Sequence, residues 1–168
     1  MEVLLFLPLV MAAYLIYARI QFGMTRSISS TYGKLKGKAK LLPFIVLILS
    51  VIVPAIVLGV NANPESPFRF LWWGSGMLIL LVGMYADPKS KTGDVLHVVG
   101  ATGGIALGML APAITLEGWW TIVFPSVFAV FVGMQELFPK LKLKNNTYWT
   151  EVIAIAIVMG LLVKEYVL

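Results

Sequence analysis

Six stretches of roughly twenty mostly apolar residues, separated by short polar breaks, set the limits on what this chain can fold into. A helix rises 1.5 Å per residue, so about 20 residues cross a ~30 Å hydrocarbon core. Only helices and closed barrels satisfy their own backbone polar groups there. The stretches run over residues 2–20, 41–60, 70–86, 94–114, 119–138 and 148–167, the third being the shortest. The expectation is an all-α fold: an integral membrane bundle of six transmembrane helices, forming one domain over residues 1–168. Composition agrees, with 60% apolar and 12% charged residues, about half the charged share of a soluble domain.

The breaks carry turn formers, as in Asn61-Ala-Asn-Pro and the run from Asp87 to Gly93. They also carry the charge. Of the thirteen Lys and Arg residues, eleven fall between stretches one and two (Arg19, Arg26, Lys34, Lys36, Lys38, Lys40), three and four (Lys89, Lys91), and five and six (Lys140, Lys142, Lys144). Only Arg69 and Lys164 lie on the other side. The positive-inside rule then predicts basic loops in the cytoplasm and both the N-terminus and C-terminus outside, in a cell membrane of the bacterial inner type. Trp72, Trp73, Trp119 and Trp120 are expected at the outer interface, and Tyr148 and Trp149 at the inner one. The acidic second residue, with no cleavage signature after it, reads as a retained helix rather than a signal peptide.

This clustering turns the net charge of +5 into a topology signal, and nucleic acid is not an expected partner. The bilayer is, with anionic lipid headgroups at the basic first loop. A chain this short is also compatible with a homo-oligomer or a membrane partner that completes it. The absence of cysteine excludes disulfides, thiolate catalysis and Cys-ligated metals. No cofactor or metal is named by any motif, and GxSxG, HExxH and phosphate-loop patterns are all missing.

Chemistry is concentrated in a few polar residues placed inside or beside apolar stretches. In the fourth, Gly100, Gly104 and Gly108 repeat every four residues, the spacing that lets membrane helices approach closely. Asp94 and His97 continue that stripe and so face protein or a cavity. Glu136, Glu151 and Asp87 also fall near the cytoplasmic ends of their helices, where burial of a charge asks for a partner or a purpose. Each has a local explanation as well: Asp94 as an N-cap or first-turn acid, Glu151 as a first-turn acid, Glu136 paired with Lys140, and Asp87 within reach of Lys89 or Lys91. Serine chemistry has only Ser27 or Ser29 with His97 to draw on.

The first loop reads Ser27-Ile-Ser-Ser-Thr-Tyr32. It resembles the SIS-x-TY segment of a family of small six-helix membrane proteins of gut bacteria and phages, with a His early in the fourth helix (His97) and an acid opening the sixth (Glu151). A second Tyr of that motif is Gly33 here. The resemblance implies a fold and no activity. A more distant similarity joins Ser29, Asp94 and His97 to part of the Ser, Asp and three-His set of the alkaline ceramidase and adiponectin-receptor superfamily. That superfamily has seven helices, and a single histidine here cannot supply three; Glu136 or Glu151 would have to substitute. The expected function is a binding or transport protein whose inner cavity, formed by Asp94, His97, Glu136, Glu151, Ser27 and Ser29, takes a cation, proton or small polar ligand. The alternatives are a membrane-embedded lipid hydrolase with a reduced ceramidase-like site, or an accessory protein with no site.

Overall fold

The computed structural model describes residues 2–25, 27–61, 65–85, 90–138 and 143–167, with side chains for all of these except 2–5, 33, 166 and 167. Arg26, Asp87, Lys89, Lys140 and Lys142, which carry part of the charge count and the pairings expected for Asp87 and Glu136, lie outside the described residues.

Among the described residues every regular element is helical. Helix α1 (Glu2–Phe22) stops at Gly23, whose φ of 69° suits a glycine and lets its N–H reach the Arg19 carbonyl at 3.1 Å. Two short 3₁₀ turns, Ser29–Lys34 and Gly37–Lys40, lead into the second apolar rod. That rod is not one uniform helix. It runs as α2 (Leu41–Leu47), a π-helical turn (Ile48–Ile52) and α3 (Val53–Asn61). Pro54 explains the interruption: it offers no N–H to Ser50, and its ring crowds the Ser50 carbonyl, so the ladder widens by one residue. The remaining helices are α4 (Phe70–Met84), α5 (Lys91–Thr115), α6 (Trp120–Leu137) and α7 (Asn146–Val167).

Five rods are long and apolar enough to cross a membrane: Gly37–Asn61, Pro67–Met84, Lys91–Thr115, Trp120–Leu137 and Asn146–Glu165. Phe6–Phe22, the part of α1 with described side chains, is a shorter apolar helix. Large apolar side chains stand exposed around the bundle, among them Ile20 at 73%, Met77 at 74% and Leu137 at 76%. Water does not tolerate so much contiguous apolar surface, whereas lipid does. The result is a helical apolar bundle compatible with a membrane protein.

The tightest pairing is between α4 and α5. A Cβ added at Gly100 would stand 2.6 Å from the Leu78 carbonyl oxygen, one at Gly104 2.7 Å from Ile79, and one at Gly108 2.9 Å from the Ser75 hydroxyl. The two backbones therefore come close enough for Ser75 Oγ to donate to the Gly104 carbonyl at 2.7 Å. Gly83 of α4 is crowded in the same way by Phe44 of α2.

One position departs from what the sequence suggests. Trp72 is not an interfacial ring: it is fully buried between helices, and its indole N–H donates to Thr115 Oγ1 at 2.8 Å. A buried tryptophan needs such an acceptor, and Thr115 supplies it. Trp73 and Trp119 are exposed, at 47% and 69%. The small residues of α6 form no tight seam, since nothing lies within 4 Å of a Cβ placed at Gly133 and Ser126 and Ala129 are exposed.

Candidate functional site

The loop after α1 folds back onto the bundle instead of trailing into solvent. Its 3₁₀ turn is organised by its own hydroxyls. Thr25 Oγ1 donates to the Ser27 carbonyl at 2.8 Å, Ser30 Oγ to the same carbonyl at 2.7 Å, and Ser30 N–H to Ser27 Oγ at 3.1 Å. Short hydroxyl side chains compete well for backbone groups in turns, which is why this serine-rich run makes a compact knot.

Three distant helices hold the knot in place. Thr31, fully buried, donates to the Ile28 carbonyl at 2.7 Å and shares a hydrogen bond with the Tyr14 hydroxyl of α1. The Ile28 N–H donates to Glu151 Oε2 of α7 at 2.5 Å. Ser29 Oγ lies 3.1 Å from His97 Nε2 of α5, and 3.1 Å from Ser27 Oγ. The other imidazole nitrogen, Nδ1, is buried without a partner among the described residues. Among the described residues, the hydrogen bond that His97 makes is the one to Ser29.

Behind the knot lies an elongated cavity of about 80 Å³, walled by α1, α2, the π turn, α4, α5 and α7. Along α5 its lining runs from Ala101 to Met109, a rise of about 12 Å. The walls are apolar except near the loop, where Ser29, Tyr32 and Glu151 line it. Ser75 lines it too, but its hydroxyl is committed to Gly104. Lys40 Nζ sits 5.3 Å above the Tyr32 ring, which brings positive charge to the same end.

The residues singled out from the sequence are therefore distributed unequally. Ser27, Ser29, His97 and Glu151 meet around the loop. Asp94 is exposed in the first turn of α5, whose N-cap is Ser90, accepting from Gly93 N–H at 3.0 Å. Glu136 is exposed near the end of α6, where Asn146 Nδ2 donates to it at 3.4 Å. Glu151 falls in the second turn of α7, which begins at Asn146, rather than in its first. Among the described residues no three of His, Asp and Glu come together to hold a metal ion.

No family model matches this chain, and neither does a curated protein or a solved structure. The site stands on its geometry. Tyr14 and Thr31 were not among the candidates from the sequence. Tyr14 carries the one usable signal, a phenol in mid-helix, whose hydroxyl needs an interior partner within an apolar environment.

Proposed function

We propose that the chain is a six-span membrane protein with both termini outside and its basic loops in the cytoplasm, and that it binds a lipid-like amphiphile from the cytoplasmic leaflet. The observation that carries this reading is the cavity: apolar over most of its length, polar only at the loop end. The apolar walls match a short alkyl segment, a few carbons in about 80 Å³, and a polar head matches Ser29, Tyr32 and Glu151. A hydrated cation or proton carrier matches less well, because beyond the mouth the walls offer little to replace water besides the Ser75 hydroxyl, which is committed to Gly104. Lys34, Lys36, Lys38 and Lys40 on the same loop favour an anionic head. The resemblance to the SIS-x-TY proteins fits this reading, since the segment that carries it forms the mouth.

The test is to purify the protein in mild detergent and identify retained lipid by native mass spectrometry. About one amphiphile per chain is expected. Ala101→Phe, which fills the cavity, abolishes retention, while Ala156→Phe on the exposed face of α7 leaves it intact. Equal retention by the two variants would show that the lipid sits elsewhere.

A further inference from the structure

We infer that Ser29 and His97 form a nucleophile and general-base pair that cleaves a carboxylic ester of the bound amphiphile. The inference rests on the amphiphile-binding reading and deepens it.

Three observations converge. Ser29 lines the cavity while His97 does not, so the pair stands at the wall of the ligand space with the imidazole on the side away from it. Ser29 Oγ and His97 Nε2 are 3.1 Å apart, within the distance over which a base takes a hydroxyl proton. The pairing is also selective. A histidine serving only to pack normally uses both ring nitrogens, yet here Nδ1 is buried and unpartnered among the described residues, and the single bond made is to a serine 68 residues away in sequence.

The neighbours are compatible with the productive direction of proton flow. Ser27 Oγ accepts the Ser30 N–H and has its own proton to offer Ser29 Oγ, 3.1 Å away. In the tautomer with the proton on Nδ1, His97 Nε2 accepts from Ser29, the arrangement a nucleophile requires. Glu151 accepts the Ile28 N–H, so it anchors the residue next to the nucleophile and is a positioning residue.

The chemistry balances with water as co-reactant. Ser29 Oγ bonds to the ester carbonyl carbon as its proton passes to His97 Nε2. The carbon–oxygen bond to the alcohol breaks, and the alcohol leaves with that proton. Water, deprotonated by His97, attacks the acyl-serine; the fatty acid departs and Ser29 recovers its proton. An acyl chain in the cavity places the ester at the mouth, where the apolar and polar linings meet.

The experiment treats purified full-length protein in nanodiscs with a dodecyl fluorophosphonate, in which Oγ–P bond formation expels fluoride. Intact mass and peptide mapping are expected to show one phosphonyl group, on Ser29. Ser29→Ala removes the adduct. His97→Gln keeps an amide able to hydrogen-bond Ser29 but cannot take its proton, so labelling slows by about 10²-fold or more. Ser126→Ala, on an exposed face of α6, still labels at Ser29. If His97 merely pins the loop, His97→Gln labels at the wild-type rate, and the inference is overturned. No adduct at Ser29 in wild-type protein also overturns it. Retained lipid, measured on the same samples, reports separately on the binding reading: lipid without an adduct removes the esterase and leaves the binder.

Discussion

The Tyr14–Thr31 pair gives two substitutions with unequal costs. In Tyr14→Phe the Thr31 hydroxyl still donates to the Ile28 carbonyl, so no buried group is orphaned and the loss is about 1 kcal/mol. In Thr31→Val the Tyr14 hydroxyl keeps no partner in the interior, and the loss is about 1–3 kcal/mol. Thermal unfolding in one detergent should rank Thr31→Val as the less stable; the opposite order would mean that Tyr14 finds another acceptor. Glu151 allows a cleaner separation of charge from hydrogen bonding. Glu151→Gln retains an oxygen for the Ile28 N–H, whereas Glu151→Leu leaves that N–H unmet. Hydrogen exchange at Ile28 should rise at least about tenfold in the leucine variant and little in the glutamine one. Equal exchange in both would show that the loop is held without this contact. None of these partnerships is legible along the chain. Polar residues in apolar surroundings announce that they need partners, but the sequence does not say which.

At the scale of elements the outcome is different. Apolar length and turn chemistry place helix ends within a few residues, because the bilayer demands about twenty residues and offers no alternative backbone partner. The stretch 94–114 is observed as Lys91–Thr115, and 119–138 as Trp120–Leu137. What periodicity does not show is the π turn, which arises from the clash of one proline ring with one carbonyl. It also does not separate a glycine at a contact from one facing open space. The structure does, and one substitution at two places tests it. Gly100→Ala puts a methyl 2.6 Å from a backbone oxygen that has no room to move; overpacking of this kind costs about 1–3 kcal/mol. Gly133→Ala meets nothing within 4 Å and gains up to ~1 kcal/mol of helix propensity. Melting temperatures should move in opposite directions, and a Gly100→Ala protein as stable as wild type would contradict the close α4–α5 approach. Leu107, one position from the stripe, also packs against the core, with its side chain 3.1 Å from a Cβ placed at Gly74.

For the molecule as a whole, the uneven distribution of cations makes the topology testable. The two cations on the side expected to face outward both have structural contacts. Arg69 donates to the Gly59 and Val60 carbonyls at 3.1 and 2.6 Å, closing the end of α3, and Lys164 lies 4.9 Å over the Trp120 ring. The basic first loop is the counterpart on the other side. The chain has no cysteine, so each single-cysteine variant carries one thiol. An impermeant maleimide applied to intact cells should label cysteine at Glu65 or Glu117 and spare it at Lys36. Labelling at position 36 would invert the bundle. Under the proposed binding role, this orientation also decides which leaflet would supply the amphiphile.

The bond from Ile28 to Glu151 spans 123 residues of sequence, and that separation is also an interval of time. At ribosomal rates of about 5–20 residues per second, the first loop is made roughly 6–25 s before its last anchor exists. For roughly the first half of that interval the knot of serines has Tyr14 alone to hold it; His97 follows 68 residues after Ser29, and Glu151 comes after both. The mouth of the cavity therefore takes its full shape only once α7 has been made. A chain halted before α7 would insert most of its spans and still present an open, unanchored loop, readily cut by protease from the side it faces. Completion of the site therefore waits on the synthesis of α7.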